Sequence, residues 1–200
     1  MQILSPIQPS CGGNMQHVVQ KELLALAREA ITSTLLHGQM PLYEKLKAAN
    51  ERPYNLEMGC FVTLKTKEGN LRGCIGNLWG KGPLFQEIPS LARQAAFSDP
   101  RFHPVNKDEL DHLVIEISLL SSMQSIDDWT AIRVGIDGVL LTHGYHRAVF
   151  LPQVASEQGW DLPTMLSNLS LKAGLYPQAY LDRACRFEVF QAEVFGEEPL

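Results

Sequence analysis

CFVTLKTKEGNLRGCIGNL, residues 60–78, decides the reading of this chain. Cys60, Val62 and Leu64 alternate with Phe61, Thr63 and Lys65, the period of two that marks a half-buried strand. Lys67-Glu68-Gly69-Asn70 supplies a glycine where a hairpin turn needs one, and LRGCIGNL returns as the partner. With Glu68-Gly69 as a two-residue turn, Cys60 stands opposite Asn77 and Thr63 opposite Cys74, so the two thiols point to opposite faces. Cys60 joins Val62, Leu64 and Ile75 on the apolar face. Arg72 and Cys74 share the half-polar face of Phe61, Thr63 and Lys65.

Outward from the hairpin, Leu84, Ile88, Leu91, Ala92 and Ala95 form the stripe of a helix over residues 83–98, which SDPRFHP breaks. Strands follow at Leu113–Leu120, Arg133–Val139, Leu140–Thr142 and Ala148–Leu151, punctuated by Asp137-Gly138 and by HGYHR at 143–147. Asp161 caps a helix through Met165, Leu166, Leu169 and Ala173 that stops at Gly174, and CRFEVFQAEVF (185–195) alternates strictly. Upstream, Val18, Val19, Leu23, Leu26, Ala27, Ala30, Ile31 and Leu35 predict an amphipathic helix from Met15 to His37, with Asn14 as cap and Gly38 as stop. Residues 41–53 hold one short helix, and residues 1–13 read as a loose leader. Strands and helices come in runs instead of βαβ alternation, which makes the fold class α+β with a mainly antiparallel sheet and flanking helices.

Composition narrows the function. The 200 residues are 45% hydrophobic and 20% charged, enough for one globular core. Seventeen Lys and Arg against 22 Asp and Glu leave a net charge of −5, which argues against a nucleic-acid footprint. No apolar run reaches the roughly 18 residues that span a bilayer, and MQILSPIQPS lacks the regions of a secretory signal, so the expected location is cytoplasmic and no membrane is involved. The four cysteines, Cys11, Cys60, Cys74 and Cys185, are scattered without a C-x-x-C pair and are expected to be free thiols.

Most motifs read as structure. GNLWGKG (76–82) has three residues between its first two glycines and no hydroxyl after Lys81, so it fails as a phosphate-binding loop. His143 and His146 flank a turn without a clustered carboxylate or thiolate, so no metal and no cofactor are expected. Asp127 and Asp128 read as loop acids. LRGCIG differs. Gly73 and Gly76 bracket Cys74, and a glycine inside a strand marks a bulge or a close backbone approach. A thiol between bare backbone with Arg72 and Lys65 nearby is a setting for a reactive cysteine and an anion-accepting surface. The same glycines around an inert packing residue explain the string equally well.

LRGCIG, AAFSDPRFHP (95–104), ISLL (117–120), RVGIDGVLL (133–141), FLPQVASEQGW (150–160) and KAGL (172–175) occur in an order that resembles the AMMECR family from about residue 15 to 195. The resemblance implies an α+β fold in two lobes with a cleft between them, one large lobe from both chain ends and a smaller inserted one, which we place at about 41–84. It also implies the A component of the AmmeMemoRadiSam group, in company with a Memo-like protein and a radical-SAM protein. Asn77 and His103 depart from the commonest family text, where threonine and proline stand, which weakens a catalytic role for His103. Three readings stay open: a module binding a small molecule or a peptide segment of a partner; an enzyme with Cys74 as nucleophile or redox thiol, Arg72 holding an anionic group and Asp99 or Arg101 nearby; and a nucleic-acid-binding regulator. The expected site is a groove bordered by LRGCIG, DPRF and HGYHR, with Cys74 as the reacting group and Arg72, Gly73, Gly76, Asp99, Arg101 and His143 as binding residues.

Overall fold

The computed structural model describes residues 13–49, 51 and 53–197. The leader expected at 1–13 and Cys11 lie outside the described residues, apart from Gly13. The chain divides into two compact units, one of Met1–Leu120 with Glu193–Leu200, the other of Ser121–Ala192.

The first unit carries α1 (Gly13–Leu36), α2 (Pro41–Ala49), β1 (Cys60–Thr66), β2 (Leu71–Asn77), α3 (Leu84–Phe97), β3 (Leu113–Leu120) and β8 (Ala192–Gly196). Its sheet runs β2-β1-β3-β8, with β1 antiparallel to both β2 and β3. Val62 and Leu64 on β1, Ile115 and Ile117 on β3, Leu26, Ala27 and Ile31 on α1, and Ile88, Leu91 and Ala92 on α3 close into one core. Burying such side chains is worth about 1.5–3 kcal/mol each and fixes the face of the sheet that meets the helices. Segment 41–84, expected as the inserted lobe, therefore belongs to this unit: β1 is one of its two inner strands and carries Val62 and Leu64 into the core. The continuous inserted unit is 121–192.

That second unit holds β4 (Gln124–Ile126), β5 (Gly138–His143), β6 (His146–Phe150), α4 (Pro152–Glu157), α5 (Leu162–Lys172) and β7 (Arg186–Phe190), with sheet order β4-β7-β5-β6. Val139, Leu141, Ala148, Phe187 and Val189 face Met165, Leu166 and Leu169 of α5. Asp161 caps α5 by accepting the Thr164 amide, and Gly174 ends it at a φ of +76°, both as expected. Two elements differ from expectation. Arg133–Ile136 is a turn instead of a strand, because the Asp137 carboxylate accepts the Arg133 backbone and guanidinium N–H groups and holds the chain bent; Gly135 adopts a φ of +80° there. CRFEVFQAEVF is two strands in different sheets, divided at Gln191, whose amide donates to Ser121 Oγ.

Candidate functional site

The β1–β2 hairpin has the register read from alternation, with Cys60 opposite Asn77 and Thr63 opposite Cys74. Its turn is longer than two residues. Thr66 N–H donates to Asn70 O, Gly69 N–H returns to Thr66 O at a φ of +86°, and the pairing shifts so that Lys65 faces Leu71. Arg72 is the extra residue of the resulting bulge, and bulges re-aim side chains. Its guanidinium accordingly reaches off the sheet edge: Nε and Nη2 donate to the two Glu109 carboxylate oxygens at 2.7 and 3.2 Å, and Nη2 also to His103 O at 2.9 Å. Lys65 is committed to Glu116 at 2.8 Å. Neither cation hydrogen-bonds the Cys74 thiol, whose Sγ sits 3.3 Å from the Thr63 hydroxyl that donates to it.

The two glycines serve close approach. A Cβ on Gly73 would stand 2.2 Å from Ala95 O of α3, so the strand touches the helix backbone there, and one on Gly76 would stand 2.2 Å from the Phe61 ring lying across the strand. β2 is an edge strand, and its outward amide and carbonyl at Cys74 are captured by the loop after α3. Asp99 Oδ2 accepts the Cys74 N–H at 2.9 Å, and Arg101 Nη2 donates to Cys74 O at 3.2 Å. Asp99 also accepts Arg101 N, Nε and Nη2, so four donors converge on one buried carboxylate. The Arg101 guanidinium above all, with the two backbone amides behind it, holds the Asp99 carboxyl far below the usual carboxylate range against the opposing cost of burial. Glu109 is likewise lowered, chiefly by Arg72.

Arg72 and Arg101 place their guanidinium carbons 5.9 and 5.5 Å from the Phe102 ring centroid. Around that ring Arg72, Pro100, Arg101, Phe102 and His103 line a pocket of 390 Å³. The buried Asp99 is not part of the lining, so the wall presented to a ligand is cationic and apolar. Arg72 Nη1 is buried there without a hydrogen-bond partner.

The structure thus brings together Arg72, Gly73, Cys74, Gly76, Asp99 and Arg101. His143 belongs to the second unit, where Nε2 lies 3.2 Å from Asp182 Oδ2, and His146 Nδ1 lies 2.9 Å from Ala173 O. Sequence reasoning missed Glu109, and it placed Phe102 in the DPRF border and Thr63 opposite Cys74 without giving either a role. Glu109 carries a signal, since Asn106 and Glu109 have capping-box spacing and form that box, with Glu109 Oε2 accepting the Asn106 amide. Cys60, Cys74 and Cys185 are free thiols. Burial pushes Cys60 up to about 12, and burial with Asp182 pushes Cys185 up to about 11. Among the described residues no three His, Cys, Asp or Glu side chains converge as a metal site.

Residues 24–195 match the family model AMMECR1. A protein of Methanothermobacter thermautotrophicus is 38% identical over 186 residues, covering 89% of this chain and 94% of its own length. One of Methanocaldococcus jannaschii is 38% identical over 151 residues, 72% of this chain and 75% of its own. The crystal structure of uncharacterized protein PH0010 from Pyrococcus horikoshii superposes with a TM-score of 0.71 at 34% identity, covering 88% of this chain and 90% of that one.

Proposed function

This chain belongs to the AMMECR1 family, and we propose that it acts as a binding module whose ligand, a small molecule or a partner's peptide segment, seats in the pocket beside Cys74. One observation carries the reading: the polar groups around Cys74 are spent on holding the β2 edge. A nucleophilic cysteine needs a proton acceptor in reach or a cation at its sulfur, and Arg72 and Lys65 are committed to Glu109 and Glu116 instead. Here the thiol's hydrogen-bond partner is a hydroxyl that donates to it, and the nearby carboxylate is saturated by four donors and held far below the range of a working base. What stays open toward a ligand is the Arg101, Phe102, Pro100 and His103 wall, whose mixture of fixed charge and apolar surface suits recognition.

The family resemblance supports a setting in which the module works in the cytoplasm with a Memo-like protein and a radical-SAM protein. No described helix is long and apolar enough to cross a membrane. The test mixes the chain with those two proteins from the same organism and follows complex formation by analytical ultracentrifugation. Wild type and Cys74→Ser form the same complex, and Phe102→Ala weakens it. A Cys74→Ser chain that folds and binds, yet no longer supports growth where wild type does, replaces this reading with the enzyme.

A further inference from the structure

The β5–β6 hairpin carries a fully exposed aromatic side chain on a backbone position set by its turn. Tyr145 is 105% exposed relative to the free residue, at the tip of the two-residue turn Gly144-Tyr145. Gly144 adopts a φ of +60° at the first turn position, the II′ arrangement that matches strand twist and leaves little freedom. The flanking residues are tied as well. His143 and His146 pair across the hairpin on the face that meets α5, and they anchor to Asp182 and to the Ala173 carbonyl. An aromatic anchor on a fixed backbone has only two χ angles to order, so it loses little conformational entropy when it is buried by a partner.

The opposite face of the same hairpin end is cationic. Arg147, Thr142 and Arg186 stand side by side across β6, β5 and β7, and both arginines are exposed. Among the described residues the ion pairs of this unit are Arg133–Asp137 and His143–Asp182, so Arg147, Arg186 and the exposed Arg183 pair with no carboxylate. Arg28, Arg72 and Arg101 of the first unit, by contrast, are each held by a carboxylate. Glu188 lies one row further along the arginine face, opposite Leu140.

We propose that this hairpin is a docking tip, with Tyr145 as anchor and Arg147 and Arg186 as flanking contacts, for a partner protein that presents an apolar pocket rimmed by carboxylates. Tyrosine and arginine are the side chains that carry interface energy, and unpaired guanidiniums select an acidic rim. A single-stranded nucleic acid would need a groove of cations tracking several phosphates and more than one stacking ring, on a chain whose net charge is −5. The proposal does not depend on the pocket beside Cys74.

The test is fluorescence anisotropy on the intact chain at low salt with three labelled probes: an acidic peptide with a leucine between glutamates, its glutamine counterpart, and an oligouridylate. The acidic peptide is expected to bind about tenfold more tightly than the glutamine one, with added salt weakening it. Tyr145→Ala and the double change Arg147→Glu with Arg186→Glu each weaken it by about tenfold or more, while Tyr145→Phe retains it. All three positions are exposed, so circular dichroism should show each variant folded. Equal binding of the two peptides, tighter binding of the oligouridylate, an unaffected Tyr145→Ala, or no binding of the acidic peptide overturns the proposal.

Discussion

The molecule has two hairpins that use the same residue types to opposite ends. In β1–β2 the glycines Gly73 and Gly76 lie inside the strand, against a helix backbone and a ring, and the neighbouring arginines are locked to buried or half-buried carboxylates. In β5–β6 the glycine lies at the turn with nothing within 4 Å of its would-be Cβ, and the arginines nearby are unpaired. A glycine or an arginine in a motif therefore says little by itself. Whether its surroundings consume it decides between a structural device and a surface for others.

The largest expected effect separates the two glycines. Gly73→Ala puts a Cβ 2.2 Å from the Ala95 carbonyl, and because both partners are backbone, α3 or β2 has to move. The cost is expected near the top of the overpacking range, about 3 kcal/mol. Gly144→Ala meets open space and carries only the left-handed backbone penalty, about 1 kcal/mol. Urea midpoints of the two variants measure the gap. Equal losses would dissolve the contrast between the hairpins.

The next effect tests the capture of the β2 edge. Asp99→Asn leaves Arg101 without its counter-charge and replaces an acceptor by an amide facing donors, for an expected loss of about 2 kcal/mol at neutral pH. The pH dependence has a definite sign. Arg101 holds the native carboxyl well below its unfolded value, so the stabilisation is complete above about pH 4 and fades as pH falls below it. Wild type and variant should converge on acidification. A gap that stays constant down to the lowest accessible pH would mean that packing, and not the ionised carboxylate, does the holding.

Much of this was legible in the sequence, and the reasons differ by element. Period-two alternation fixes which face Cys60 and Cys74 take, because a slip of one residue would turn Val62 and Leu64 out of the core. Asp161 and Gly174 bound α5 because capping chemistry is local. The Arg72 bulge was not legible: Glu68-Gly69 looks like a complete turn, and what favours the longer loop includes an ion pair to Glu109, 37 residues away. The boundary of the inserted unit was hidden for a similar reason. Alternation runs unbroken through CRFEVFQAEVF although Phe190 and Ala192 belong to different sheets, and only the tertiary hydrogen bond at Gln191 marks the crossing.

The smallest effect concerns Cys74 itself. Its side chain is half-buried beside the Thr63 hydroxyl and fills little of the core, so Cys74→Ala should cost under about 1 kcal/mol, well below the roughly 2–5 kcal/mol of emptying a large buried site. Its accessibility sets it apart from the buried Cys60, while Cys185 is half-buried as well. Cys60 is 1% exposed and pushed up to about 12 by burial, and Cys185 is pushed up to about 11, so neither supplies thiolate near neutral pH. In a Cys11→Ser background, maleimide labelling of the native protein at pH 7 should modify Cys74 first, Cys185 slowly and Cys60 only after unfolding, as read by peptide mass spectrometry. Labelling of Cys60 ahead of Cys74 would contradict the hairpin register. Cys74 labelling only on denaturation would show that the thiol is closed off in the native protein and takes no part in a native site.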